Sequence, residues 1–197
     1  MTPEIFAALT TFALVTVITP GPNNLMLMTS GANFGLRRSL PHMFGIGLGF
    51  PAMVLMVGMG VTRLFDLWPA SYTVLKILSV AYMLYLAWKI AHAAAPKDAQ
   101  AGGRPLSFLQ AAAFQWVNPK AWSMALSAIT LYAAGRDVFA VLWVAGAYVM
   151  CSILSTTSWT LLGQQMRSIL HNPARLRVFN WVMAAVLVAS LVPVLMQ

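Results

Sequence analysis

The chain has 197 residues, 60% hydrophobic and 8% charged, with a mean hydropathy of +0.77. A soluble domain carries about 25% charged residues, so this chain cannot cover its own surface in water; a soluble enzyme, a disordered regulator and a disulfide scaffold are poor readings. The net charge of +8 would suggest nucleic acid in a soluble protein, but in so apolar a chain it reports basic residues holding one side of a membrane protein, and no nucleic-acid partner is expected.

A membrane helix needs roughly 20 apolar residues, which leaves room for about six spans and little else. The first runs from about Ile5 to Met28. It is read as retained, because Glu4 rather than basic residues precedes it and no small-residue cleavage site closes it. A loop with Arg37 and Arg38 leads to the second, from about Pro41 to Val61. A turn with Arg63, Asp66 and Pro69 leads to the third, from about Tyr72 to Ile90. The longest polar stretch, Ala93 to Pro105, carries Lys97, Asp98, Gly102, Gly103 and Arg104. The fourth span runs from about Leu106 to Leu131 and ends at Gly135-Arg136-Asp137; the fifth runs from about Val138 to Leu162. A loop with Arg167, Arg175 and Arg177 precedes the sixth, which closes near Leu195. No period-2 alternation suggests a β-barrel.

Eight of the 12 Lys and Arg residues fall in or beside the first, third and fifth connections. The positive-inside rule makes those connections cytoplasmic and turns both termini outward. The aromatic pairs Trp68/Tyr72 and Tyr85/Trp88 either mark the two interfaces or simply fill space.

The first span is interrupted by Thr19-Pro20-Gly21-Pro22-Asn23-Asn24 and the fourth by Asn118-Pro119-Lys120. Pro20 and Pro119 lie 99 positions apart, close to half the chain, and the later spans keep a similar offset. Three spans per half force the second half to insert upside down, the arrangement of many secondary transporters. The expected fold is therefore an all-α integral membrane protein. Its six transmembrane helices form an inverted 3+3 repeat with the first and fourth helices broken. Residues 1–92 form the first repeat, 93–105 a cytoplasmic linker and 106–197 the second repeat.

Proline in a helix interior removes a hydrogen bond and clashes with the preceding turn. Backbone groups freed that way are tolerated in a membrane only against protein or a wet cavity. The half-helix beginning near Pro22 offers N–H groups and a positive dipole end, suited to a carboxylate. The half-helix ending near Thr19 offers carbonyls, suited to an ammonium. Asn23 and Asn24 add side-chain donors and acceptors. The alternative is a packing kink.

Lys120 stands 14 residues beyond Leu106, roughly 21 Å along a helix, inside a hydrocarbon core about 30 Å thick. An intramembrane lysine is by default a functional hypothesis. All four acids, Glu4, Asp66, Asp98 and Asp137, lie near span ends or in loops. An unpaired cation beside a broken helix suits an anionic group arriving with a substrate. The alternative is a lysine bonded to carbonyls freed at the first break. Lys76 can reach the headgroups and is read as structural. The candidate binding residues are thus Pro20, Gly21, Pro22, Asn23, Asn24, Asn118, Pro119 and Lys120.

Gly45 and Gly49 form a GxxxG pair, which permits close packing either within the chain or between two copies in a homodimer. Cys151 has no second cysteine to pair with. His42, His92 and His171 are isolated near span ends, so no metal site is expected. No GxSxG or Walker-type loop occurs, and neither a cofactor nor an enzymatic activity is expected.

These residues carry a resemblance. The chain is similar over essentially its whole length to the LysE/RhtB superfamily of bacterial amino-acid exporters, on Thr19-Pro20-Gly21-Pro22-Asn23-Asn24, Gly45-x-Gly47-x-Gly49, Ala81-Tyr82-Met83-Leu84-Tyr85-Leu86-Ala87-Trp88-Lys89 and Asn118-Pro119-Lys120-Ala121. The resemblance implies a multi-pass carrier of the bacterial inner membrane, driven by the proton gradient and expelling amino acids or close metabolites. Within it the sequence looks nearest the branch exporting cysteine and O-acetylserine. Many relatives carry an acidic residue just after the second-span glycines or within the fifth span. Here those places read Gly49-Phe50-Pro51 and Cys151-Ser152, which argues against a cationic cargo and puts carboxylate-based proton coupling in doubt. The competing reading is a membrane subunit or scaffold without cargo; a scaffold has no need of Lys120 at depth.

Overall fold

The computed structural model describes residues 1–68, 70–93, 104–133, 135, 137–170, 172–192 and 196. Among them no strand occurs, and nine helices follow in order: α1 (Pro3–Ile18), α2 (Pro22–Phe34), α3 (Leu36–Gly58), α4 (Thr62–Leu67), α5 (Ala70–Ala91), α6 (Phe108–Val117), α7 (Pro119–Tyr132), α8 (Val138–Met166) and α9 (Pro173–Ala189).

Local chemistry sets the boundaries. Thr2 caps α1 ahead of Pro3. Ser107 and Gln110 form a reciprocal capping box at the start of α6, at 3.2 and 3.1 Å. Asp137 and Asn172 cap α8 and α9. A single residue joins α2 to α3: Gly35, at φ 76°, in the left-handed region that glycine enters without strain.

Both breaks are present. Thr19 takes a ψ of 134°, because the ring of Pro20 disfavours the helical region for the residue before it. Gly21 is extended, and Pro22 opens α2 at its first position. The two axes differ by 58°. Farther on, Asn118 closes α6 and caps α7, and Pro119 begins α7.

Among the described residues three helices are long and apolar enough to cross a membrane, α3 with 23 residues, α5 with 22 and α8 with 29, and the bent α1–α2 pair makes a fourth if taken as one span. Helices α6, α7 and α9 have 10, 14 and 17 residues. Several expected limits move. The first segment continues to Phe34, because Gly35 and not the basic loop ends it. Helix α3 starts at Leu36, since Pro41 gives up only a bond to the first-turn carbonyl of Arg37. The stretch with Arg63 and Asp66 is the helix α4 rather than a turn. Pro69, Lys97, Asp98, Gly102, Gly103, Arg136, His171 and Leu195, and most of the expected linker, lie outside the described residues.

Large apolar side chains stay exposed along three helices, among them Phe44 and Leu48 of α3, Ile77 and Leu78 of α5, and Trp143 and Ile153 of α8. Lipid is the solvent that accommodates such a surface.

Helix α8 packs against α1, α2, α3 and α7; α3 also packs on α6, and α5 on α9 and α6. Glycines fix the closest approaches. A Cβ on Gly31 of α2 would overlap the Thr160 carbonyl of α8, and one on Gly163 of α8 would overlap the Met28 carbonyl of α2. These helices therefore meet backbone to backbone. The Gly45–Gly49 pair does the same against α6, where added Cβ atoms would fall 2.5 Å from the Phe108 carbonyl oxygen and 2.7 Å from the Ala112 Cα. Of the two roles open to this pair, the structure uses it within the chain.

Candidate functional site

Ending α1 at Ile18 leaves its last carbonyls without helical donors, and three elements supply side chains to them. Asn24 Nδ2 donates to the Val17 and Thr19 carbonyls at 2.8 and 2.9 Å. From α8, Ser155 Oγ donates to Val17 at 2.8 Å and Trp159 Nε1 to Ile18 at 3.1 Å. From α7, Lys120 Nζ donates to Thr19 at 2.5 Å and to Pro20 at 3.4 Å. The two breaks, far apart in sequence, thus meet in space. Of the geometries open to Lys120, this structure holds the one in which it bonds the carbonyls of the first break. Those carbonyls, expected to be free, are occupied.

The other side of the first break differs. Gly21 places no side-chain cap on α2. The Asn23 and Asn24 N–H groups have no partner among the described residues. Lys120 lies across Gly21: a Cβ there would come 2.7 Å from Lys120 Cδ and 3.0 Å from Nζ. Glycine is what lets the ammonium approach the free end of α2.

Asn23 pairs with Gln115 of α6 through both amides, at 2.8 and 3.1 Å, and Gln115 also donates to the Ala111 carbonyl at 2.8 Å. Asn118 Oδ1 accepts from the Lys120 N–H at 3.1 Å, fixing the first turn of α7. No Asp or Glu is buried among the described residues, so no internal carboxylate neutralises Lys120.

Gly21, Asn23, Asn24, Asn118 and Lys120 line one small pocket of about 30 Å³, with Ser152, Ser155 and Thr156 from α8 and Phe50 from α3. Pro20, Pro22 and Pro119 are outside its lining and act by shaping the backbone. Phe50 stacks edge-on against Tyr148, with centroids 4.9 Å apart. A volume of that order holds roughly a water or two.

Sequence reasoning missed Gln115, Ser155 and Trp159. A signal for two of them existed: Ser152, Ser155, Thr156, Trp159 and Thr160 recur at helical spacing within an otherwise apolar segment, a polar stripe that needs partners. Gln115 carried only the weaker sign of a lone amide near the second break.

Comparison with known proteins agrees with the resemblance drawn from the motifs. Cysteine/O-acetylserine efflux proteins of Escherichia coli (strain K12) and Shigella sonnei (strain Ss046) are each 31% identical to this chain over 191 residues, covering 95% of it and 96% of the relative. The protein of that name from Escherichia coli O139:H28 is 30% identical over the same shares. No solved structure matches the chain. The family model for LysE type translocators matches residues 14–195, so with its apolar helices and paired breaks this chain belongs to that family and is a membrane transporter, not an enzyme.

Proposed function

We propose that the protein is a secondary exporter of small neutral amino acids or close derivatives, such as cysteine, O-acetylserine, threonine or homoserine. It works across the bacterial inner membrane and draws on the proton gradient. The observation that carries the reading is Lys120: an ammonium at a broken helix, bonded only to carbonyls. A zwitterion can replace both halves of that contact. Its carboxylate takes the Lys120 ammonium and the free Asn23 and Asn24 N–H groups, and its ammonium takes the Thr19 and Pro20 carbonyls that Lys120 gives up. Charge-assisted bonds of this kind are the strong ones, and their low-dielectric surroundings strengthen them further. A cationic side chain on the cargo would meet no buried carboxylate, so lysine and arginine fit poorly.

On this reading the bent α1–α2 pair, α3, α5, the α6–α7 pair, α8 and α9 are six spans in two inverted halves, residues 1–92 and 106–197, joined by a cytoplasmic linker. The packing supports it: α1 lies on α8 as α6 lies on α3, and α3 with α8 and α5 with α9 pair across the halves. A homodimer, if formed, uses a face other than Gly45 and Gly49.

Efflux from cells preloaded with a panel of amino acids tests the proposal. Export of at least one neutral member that depends on Lys120 is the expected result. Lys120-independent leakage of every member, at matched membrane expression, would favour a subunit or scaffold without cargo.

A further inference from the structure

A second, larger cavity has no part in the exchange at Lys120. It measures about 640 Å³ and is lined by Thr29 and Ser30 of α2, His42 of α3, Lys89 of α5, and Arg104 and Gln110 around the start of α6. His42 is 2% exposed, and neither of its ring nitrogens has a hydrogen-bond partner among the described residues. A buried polar group left unpaired weakens a fold; both nitrogens are shielded in this structure, and a turn of the ring would bring one to the cavity that His42 lines. A neutral imidazole offers one N–H and one bare nitrogen, which suits a carboxylate and an ammonium at once. Among the described residues, the charged and titratable groups facing the cavity besides His42 are Lys89 of α5, His92 just beyond that helix, and Arg104, with no Asp or Glu.

Size and position add to this. The pocket at the breaks is about 30 Å³, whereas cavities of several hundred Å³ hold whole small-molecule ligands. The two lie in succession along the same helices. On α2, Asn23 and Asn24 line the small pocket and Thr29 and Ser30 the large one; on α3, Phe50 and Ile46 line the small one and His42 the large one. Met26 and Ile46, both buried in one apolar cluster, stand between. The large cavity lies beside Lys89 and Arg104, on the side the basic loops assign to the cytoplasm, from which an exporter takes its cargo.

We propose that this cavity is a second binding site for a small zwitterionic amino acid, where His42, Lys89 and Arg104 hold the carboxylate before the cargo passes Met26 and Ile46. The inference rests on the export reading and adds a site to it. An anionic-lipid phosphate shares the chemistry of the carboxylate, and the test separates the two.

The protein is labelled with 15N-histidine in nanodiscs, and His42 is assigned among the three histidines with His42→Leu. O-acetylserine and cysteine are titrated into wild type and Lys120→Ala, beside 2-aminoethyl acetate, which lacks the carboxylate of O-acetylserine. The expected result is a saturable shift of the His42 nitrogens by the amino acids in both proteins, and none by 2-aminoethyl acetate. His42→Leu should fold as stably as wild type, since it removes two unpaired nitrogens, and should weaken half-saturation of efflux on the order of tenfold, the usual weight of a charge-assisted bond. A His42 signal that answers phosphatidylglycerol but no amino acid makes the occupant a lipid and overturns the proposal. Efflux is scored in liposomes from the same preparation. A silent His42 with intact efflux overturns the second site alone. A responding His42 without efflux supports the site and overturns the export reading.

Discussion

Lys120 donates to the Thr19 and Pro20 carbonyls and to no carboxylate, so its loss leaves the Pro20 carbonyl unpaired rather than an acid. That difference sets what substitution should do. Lys120→Ala should leave a protein that inserts, because Asn24 still serves the Thr19 carbonyl, while export falls to background. Lys120→Arg keeps the charge, but its planar fork is larger and differently shaped and must cross Gly21 where even a Cβ would be crowded; it should retain at most part of the rate. Lys76→Ala should export like wild type. Initial efflux rates at matched membrane expression separate these outcomes, and near-normal export from Lys120→Ala would make the buried charge structural. The position was legible in the sequence because a lysine deep in an apolar segment has few explanations. Its partners were not, because nothing in the local sequence says which distant carbonyls a bend will bring within reach.

At the scale of elements, the breaks could be read from proline alone, since a missing N–H and a clashing ring act on the helix that contains them. Helix contacts could not. Gly31 and Gly163 carry a crossing in which α2 and α8 meet backbone to backbone, and nothing in the residues around either glycine points to the other. The structure supplies graded tests. A Cβ at Gly31, Gly163 or Gly49 meets backbone, whereas one at Gly47 meets nothing within 4 Å. Gly31→Ala, Gly163→Ala and Gly49→Ala should each destabilise the protein, by about 1–3 kcal/mol as overpacking does. Gly47→Ala should be neutral or stabilising by up to about 1 kcal/mol from helix propensity. Melting temperatures in one detergent would rank them, and equal behaviour at Gly47 and Gly49 would show that the α3–α6 contact is looser than described. The cap between the half-helices is a separate device. Asn118→Ala should cost about 1 kcal/mol, the usual weight of an N-cap, and should lower export further by freeing the first turn of α7, which carries Lys120.

For the whole molecule, direction decides whether the larger cavity receives cargo or releases it. Arg37, Arg38, Lys89 and Arg104 fall in or beside the first and third connections, Arg167 in the fifth, and Arg175 and Arg177 at the start of α9. Moving that many positive charges outward opposes the bias that orients short loops. The expected arrangement puts both termini outside and the linker inside. Single cysteines at positions 2, 100 and 197 would report it, in a background where Cys151 is replaced. Cys151 is buried, with its thiol toward the Thr10 carbonyl at 3.7 Å, so Cys151→Ala removes a small, weakly bonded group and should leave insertion unchanged. In intact cells a membrane-impermeant maleimide should label positions 2 and 197, and position 100 only after permeabilisation. The reverse pattern would turn the basic cavity outward, and His42 would then face cargo as it leaves. Labelling of position 2 without position 197 would mean an odd number of crossings. That outcome would break the inverted repeat, because two halves of three spans return the chain to the side on which it began.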